Sequence, residues 1–372
     1  MHAQHLYATM LIGCLTRMQT PSQVWRSGCG ATRIRRWIAV SSCAATFAIA
    51  EASDYNVSND VVIPTVYESG HFYSTPVLDT GRAMRMLVDT GGGGTPSYWI
   101  NKFQADAISL TADDSCEMDG HKFFLAHLKF KPRLGIPGFP GPCNGVVILS
   151  SGDEERSNGQ LVPLYFSHGV WTFDYPGTKV ILRADGWTPP AAAHKTELGF
   201  RTSPGGFVLG WPRIVLTVEG QELDMLLDTG ATAHPTPEGL KASGISTTGG
   251  FGVTSYITKS IMDAWRVQHP DWVVIEHGDD LFPKRVFPII RVPRLQIAGF
   301  VLGPVWFTER PDSNFHDMMA SLMDRPPEGA VGANIFEHFQ MTIDYPKRIA
   351  WFDCISACKA ALGTKHEAKF SP

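Results

Sequence analysis

Leu216-Thr217-Val218-Glu219-Gly220-Gln221-Glu222-Leu223-Asp224-Met225-Leu226-Leu227-Asp228-Thr229-Gly230 reads as a strand, a glycine turn, a second strand, and a loop opened by Asp-Thr-Gly. Apolar residues recur at every second position at Leu223, Met225 and Leu227, as a strand with one buried face requires. An earlier stretch superposes on it without a gap: Val77-Leu78-Asp79-Thr80-Gly81-Arg82-Ala83-Met84-Arg85-Met86-Leu87-Val88-Asp89-Thr90-Gly91, at an offset of 139 (228 − 89). Met84, Met86 and Val88 keep the same alternation there. Downstream, Thr172-Phe173-Asp174-Tyr175-Pro176 matches Thr342-Ile343-Asp344-Tyr345-Pro346 at an offset of 170 (342 − 172). Two separate matches in the same order mean that one unit has been duplicated.

The duplication divides the chain into a lobe at 51–185, a Pro/Ala-rich linker at 186–199, a second lobe at 200–353 and a tail at 354–372. A length of 372 residues allows two packed domains, and 44% apolar with 18% charged residues is a globular composition. The formal charge of −4, from 32 basic and 36 acidic residues, gives no general grip on nucleic acid. With 36 glycines and 26 prolines, turns are frequent and strands are favoured over long helices. Period-two patterns cover Phe123 to Phe130 and Val292 to Phe307, the latter broken by a turn at Ala298-Gly299. Short helices are expected at Met318 to Met323, around Ile335-Phe336-Glu337, and as one turn from Ser356 to Ala361. The expected fold class is all-β with short helices: two duplicated, β-barrel-like lobes with a cleft between them.

Residues 1–50 read as a leader. Arg33-Ile34-Arg35-Arg36 precedes an apolar stretch from Trp37 that exits through Ala48-Ile49-Ala50, the pattern of an export signal cleaved near Ala50. The protein is therefore expected to be exported, periplasmic or secreted. Leu11-Ile12-Gly13-Cys14 offers a lipoprotein anchor as the alternative, without a basic segment before it. No run reaches the roughly 20 apolar residues of a membrane-spanning helix. Outside the leader, Cys116, Cys143, Cys354 and Cys358 allow three disulfide connectivities, and proximity suggests Cys116–Cys143 with Cys354–Cys358. Cysteines and histidines show no zinc-ligand spacing, so no metal is expected.

An aspartate at the end of a buried strand is pushed toward its neutral form. Two of them face to face can share one proton, so that one takes a proton from water while the other gives one to a scissile carbonyl. On these residues the chain resembles the aspartic proteases of the pepsin/retropepsin group, and is most similar to two-lobed, bacterial-type members with retropepsin-like halves. The resemblance covers most of residues 70–353. In lobe two it rests on Leu226-Leu227-Asp228-Thr229-Gly230-Ala231-Thr232, on Ala330-Val331-Gly332-Ala333-Asn334-Ile335-Phe336, and on the closing Phe339 to Pro346. It implies that Asp89 and Asp228 are catalytic and that Thr90 and Thr229 brace the loops. Gly91 and Gly230 would allow close approach, and Gly332 would support the second loop from beneath. It also implies an extended peptide or protein substrate, no cofactor and a monomeric enzyme. In lobe one, Gly92-Gly93-Gly94 follows Asp-Thr-Gly, and Val162-Pro163 stands where lobe two has Gly332-Ala333. Either the support of that loop differs or its true equivalent is shifted. A binding protein on the same scaffold is the rival reading.

Other features read as structure. Asp79-Thr80-Gly81 falls opposite Val218 to Gly220 in the repeat, so it is a hairpin turn. Asp174 and Asp344 start turns with Tyr-Pro. Gly91–Gly94 is not followed by Gly-Lys-Ser/Thr and does not complete a dinucleotide motif. Met118-Asp119-Gly120-His121 carries the turn signal expected of a substrate-covering flap. A Ser or Thr hydroxyl after Asp-Thr-Gly would favour a charged carboxylate, and Gly92 and Ala231 offer none. The pair is thus expected to titrate higher than one with those hydroxyls, with activity at weakly acidic to neutral pH.

Overall fold

The computed structural model describes residues 57–118, 120–139, 143–150, 156–203, 206–282, 284–356 and 358–360. The expected export signal, its exit at Ala50 and the alternative Cys14 box lie outside these residues.

The first half contributes β1 (Val61–Val62), β2 (Thr65–Glu68), β3 (His71–Ser74), β4 (Met86–Val88), β5 (Tyr98–Asn101), β6 (Asp114–Met118), β7 (His121–Ala126), β8 (Val146–Leu149) and β9 (Gly159–Leu161). After them come β10 (Val170–Asp174), β11 (Lys179–Leu182) and β12 (His194–Glu197), then the small hairpin β13 (Thr202–Ser203) and β14 (Gly206–Phe207). The second half opens with β15 (Arg213–Val218), β16 (Gln221–Leu227), β17 (Thr232–Ala233), β18 (Gly252–Val253) and β19 (Ser255–Thr258). It continues with β20 (Val274–Asp279), β21 (Phe287–Val292), β22 (Leu295–Ile297), β23 (Phe300–Leu302) and β24 (Val305–Arg310). It closes with β25 (Gly329–Val331), β26 (Phe339–Asp344), β27 (Ile349–Cys354) and β28 (Lys359–Ala360).

The duplication read from the sequence is a duplication of sheet order. Lobe one runs β3-β4-β9-β5-β8-β7-β6 and lobe two runs β15-β16-β25-β19-β24-β21-β20. Each pairing has its counterpart, including the parallel pairs β4–β9 and β16–β25. A six-stranded sheet, β1-β11-β10-β26-β27-β12, takes strands from both halves. At its centre Thr172 pairs with Thr342, its own equivalent in the repeat, and the two hydroxyls lie 2.7 Å apart. The approximate two-fold axis passes between them. Phe173, Phe336, Phe339, Met341, Ile343 and Phe352 bury this sheet in a core continuous with both lobes. The expected linker supplies β12, which covers the β27 edge.

Local chemistry accounts for the helices. Lys102–Ala107 starts where the Asn101 side chain accepts the Gln104 N–H. Pro237–Ser243 starts on a Thr236 cap with Pro237 in its first turn, and stops at Gly244 at φ 66°. The helix expected at Met318 to Met323 begins earlier, as a π turn at Asn314–Met318 followed by a 3-10 turn at Met319–Ser321. The one near Ile335 spans Ala333–Phe336.

One expectation is corrected. Within the span Ser356 to Ala361, where a helical turn is expected, Lys359–Ala360 is instead strand β28, with Phe300 facing Ala360 and Val301 facing Lys359; Ala357 and Ala361 lie outside the described residues. The open edge of β23 offers backbone hydrogen bonds that a single isolated helical turn cannot match. Both disulfides suggested by proximity are present, Cys116–Cys143 and Cys354–Cys358. The first ties the β6–β7 hairpin to the approach to β8, closing a loop with a sequence separation of 27. Chain-entropy reasoning assigns such a loop roughly 3.5 kcal/mol.

Candidate active site

Asp89 and Asp228 each follow the last paired residue of a strand held by a parallel neighbour, at Val88↔Leu161 and Leu227↔Val331. Their backbone N–H groups still bond into the ladder, to the Leu161 carbonyl at 3.1 Å and the Val331 carbonyl at 2.9 Å. The chain then turns, and the two loops interlock. The Thr90 N–H donates to Thr229 Oγ1 at 3.1 Å, and the Thr229 N–H donates to Thr90 Oγ1 at 3.0 Å. Each hydroxyl donates a hydrogen bond across the axis, Thr90 to the Leu227 carbonyl at 2.8 Å and Thr229 to the Val88 carbonyl at 2.9 Å. These four buried bonds leave the loops little freedom to slide.

The interlock sets the carboxyls face to face. A Cβ on Gly91 would lie 2.4 Å from Asp228 Cγ, and one on Gly230 would lie 2.3 Å from Asp89 Cγ. Only glycine permits that approach. The Gly91 N–H donates to Asp89 Oδ1 at 2.8 Å and the Gly230 N–H to Asp228 Oδ1 at 2.9 Å. Two copies of one sheet order, joined by a shared sheet and each delivering one Asp-Thr-Gly loop to the axis, decide the architecture.

The chain has a bilobal, all-β fold of two like lobes.

Solved structures similar to it include the basic 7S globulin from soybean, at 11% identity and a TM-score of 0.42, covering 81% of this chain and 98% of that one. The aspartic proteinase from Irpex lacteus stands at 12% identity and a TM-score of 0.43, with 80% and 97% covered. Overlaps this loose add nothing to the strand pairing and interlocked loops, on which the fold assignment rests. No protein-family model matches the chain, and no curated protein sequence does.

Within this bilobal frame the two carboxyls differ. Burial raises the pKa of Asp89, while the N–H of Gly91, a hydrogen bond with Asp228, the N–H of Gly92 and the positive field of Arg156 pull it back. Asp228 is raised well above the ordinary carboxylate range by burial, then by the charge of Asp89 and the hydrogen bond to it. The N–H groups of Gly230 and Ala231 oppose that. Burial and the neighbouring charge thus raise Asp228 further than Asp89, which favours the proton on Asp228.

The lobes exchange bulk between loop and support. Val162 is the equivalent of Gly332, because Leu161 and Val331 hold the same ladder position. The alternative of a shifted equivalent is thereby removed. A Cβ on Gly332 would strike the Thr254 carbonyl oxygen at 1.8 Å, so lobe two needs glycine in the support. Lobe one needs it in the loop: a Cβ on Gly93 would lie 2.5 Å from Val162 Cγ1. One residue earlier, a Cβ on Gly92 would lie 2.3 Å from Asp89 Oδ2 and 2.4 Å from Gln160 Nε2. That amide donates to Asp89 Oδ2 at 2.6 Å. Reading the sequence missed Gln160; its one signal was a polar residue where lobe two has Ala330.

His71 was also missed. It is buried on β3 with Nε2 3.1 Å from Thr232 Oγ1, in the loop that follows Asp228. Burial, aided by the positive field of Arg156, pulls its pKa down to about 3. Arg156 itself donates to Thr232 Oγ1 at 3.3 Å and stacks on Phe251 with Cζ 4.4 Å from the ring centre. A folded-state pKa near 3, below the unfolded value of 6.5, means the native state binds fewer protons. The stability is complete above 6.5 and is lost as pH falls toward 3, by roughly 3 kcal/mol at pH 4. Thermal melts of the wild type and His71→Gln from pH 7 to 4 test this. The wild type should lose the more stability on acidification, and parallel curves would refute it. The aspartate pair titrates in both proteins and cancels in the comparison.

The remaining candidates fall into place. Asp79 and Thr80 are exposed in the turn of the β3–β4 hairpin, where the Gly81 N–H donates to the Leu78 carbonyl at 2.8 Å. Asp174 accepts the Gly177 N–H at 2.8 Å and Asp344 accepts the Lys347 N–H at 3.0 Å, so both are turn residues. The flap candidate is the β6–β7 hairpin on the lobe-one edge, with Met118 facing His121; Asp119 lies outside the described residues. Among the described residues no cluster of His, Cys, Asp and Glu could hold a metal ion, and no helix is long and apolar enough to cross a membrane.

Proposed function

We propose that the protein is an aspartic endopeptidase acting on peptide or protein substrates. The observation that carries this reading is the meeting of Asp89 and Asp228 across the threonine interlock, with Asp228 raised further than Asp89. Asp89 takes a proton from a water held between the carboxyls, and the water oxygen attacks the scissile carbonyl carbon. Asp228 gives its proton to the carbonyl oxygen. When the tetrahedral intermediate collapses, the C–N bond breaks and the nitrogen takes the proton from Asp89. Asp228 recovers a proton from the diol, which restores the starting state. The chemistry needs neither metal nor organic cofactor. An extended substrate would bind by strand-like hydrogen bonds in the cleft.

Both loops come from one chain, so a monomer completes the site. The hairpin-plus-loop halves fit the two-lobed, retropepsin-like type. The leader pattern and the Cys116–Cys143 disulfide favour an exported protein.

A diverse peptide pool incubated with the wild type, Asp89→Asn and Asp228→Asn tests the reading by mass spectrometry. Cleavage by the wild type and by neither variant is expected. Equal cleavage by all three would overturn it. The second reading is a peptide-binding protein on this scaffold, favoured by the altered lobe-one support at Val162. Retention of pool peptides without cleavage would select it.

A further inference from the structure

We propose that Gln160 is the positioning residue that keeps the charge on Asp89, doing through its amide what a hydroxyl on the residue after Asp-Thr-Gly would otherwise do. The proposal rests on the reading of Asp89 and Asp228 as a catalytic pair. Gln160 sits at the middle of β9, between Leu87 on a parallel neighbour and Trp99 on an antiparallel one, and is buried. A residue pinned on both sides delivers its amide to one place. That place is Asp89 Oδ2, at 2.6 Å, while Oδ1 takes the Gly91 N–H. Each oxygen of Asp89 thus has a donor, and donors to a carboxylate favour its charged form.

Lobe two has no such arrangement. The equivalents of Gly92 and Gln160 are Ala231 and Ala330, and neither side chain can donate a hydrogen bond. The sequence repeat therefore breaks at the positions that would otherwise make the two aspartates alike. Gly92 offers no hydroxyl to Asp89, and the Gln160 amide stands in that place. Gly92 is the other half of the device, since a Cβ there would occupy the space of the amide. Side chain at 92 and amide at 160 are alternatives.

The other ionisable groups acting on the pair are the same in every variant below. Arg156 acts on Asp89, Asp89 in turn acts on Tyr345, and Tyr175 and Tyr256 lie in the field of Asp228.

Gln160→Leu, Gly92→Ser and the double variant Gln160→Ala/Gly92→Ser separate this role from simple packing. Two readouts apply: the pH dependence of kcat/KM on a cleaved peptide, and carboxyl 13C titration of Asp89 in each folded protein. Gln160→Leu should move the acidic limb, and the Asp89 titration, upward by about one pH unit with KM unchanged. Gly92→Ser alone should impair the site through the clash. The double variant should bring the limb back to within a few tenths of the wild type, because the new hydroxyl has room and a partner. Coincident Asp89 titrations in the wild type and Gln160→Leu would overturn the proposal. So would a double variant that folds and titrates like Gln160→Leu. If Gln160→Leu does not fold, the double variant decides alone. If the wild type cleaves nothing, the protease reading fails, while the carboxyl titration still tests the role of Gln160.

Discussion

Asp228→Asn is expected to lower peptide cleavage by about 10³-fold or more while leaving the fold intact. The substitution keeps shape and removes the acid. Asparagine still presents an oxygen to the Gly230 N–H, which now lies 2.9 Å from Asp228 Oδ1, so the loop retains its anchor. What is lost is the proton destined for the scissile carbonyl oxygen. Stability supplies an independent check with a defined sign. The folded-state pKa of Asp228 is raised well above 3.8, so the native state binds more protons than the unfolded chain. The stability contributed by that proton is lost as pH rises through the folded-state value. The neutral variant has no such loss. Its melting temperature should therefore exceed that of the wild type at neutral pH and converge with it in acid. Asp79→Asn, in the exposed turn with the same tripeptide, should change neither rate nor melting temperature. A fall in activity equal to that of Asp228→Asn would mean that the repeat has been misread.

The second large effect is expected from Gly230→Ala. Its methyl would sit 2.3 Å from Asp89 Cγ and 2.4 Å from Asp89 Oδ2, well inside van der Waals contact. The carboxyl cannot retreat, because its oxygens are held by the Gly91 N–H and the Gln160 amide. The loops must part, and parting strains the four bonds through Thr90 and Thr229. A loss of about 3 kcal/mol in stability and at least about 10²-fold in cleavage is expected. Thr229→Ser is the contrast within the same loop. It keeps the hydroxyl that donates to the Val88 carbonyl and accepts from the Thr90 N–H. Denaturant melts and cleavage rates of both variants check the pair. Gly230→Ala matching Thr229→Ser would show that the close approach does not matter.

Much of this was legible in the sequence, and the reason is local. The strand–turn–strand pattern, the alternation at Met84, Met86 and Val88, and the dismissal of Asp79 depend on residues a few positions apart. Duplication extended that reach, because a second copy of the pattern fixed the register of the first. The tail failed for the opposite reason: the open β23 edge that makes β28 a strand lies far from it in sequence.

Repetition and alternation along the chain are enough to establish two lobes, a hairpin ending in Asp-Thr-Gly in each, and the equivalence of Asp89 and Asp228 by descent. Their different surroundings arise only on folding. Gln160 meets Asp89 across a separation of 71 residues, and His71 meets Thr232 across 161. Neither contact leaves a trace in periodicity or spacing. The charge on a buried carboxyl depends on the donors packed around it, and strand pairing brings those donors in from distant parts of the chain.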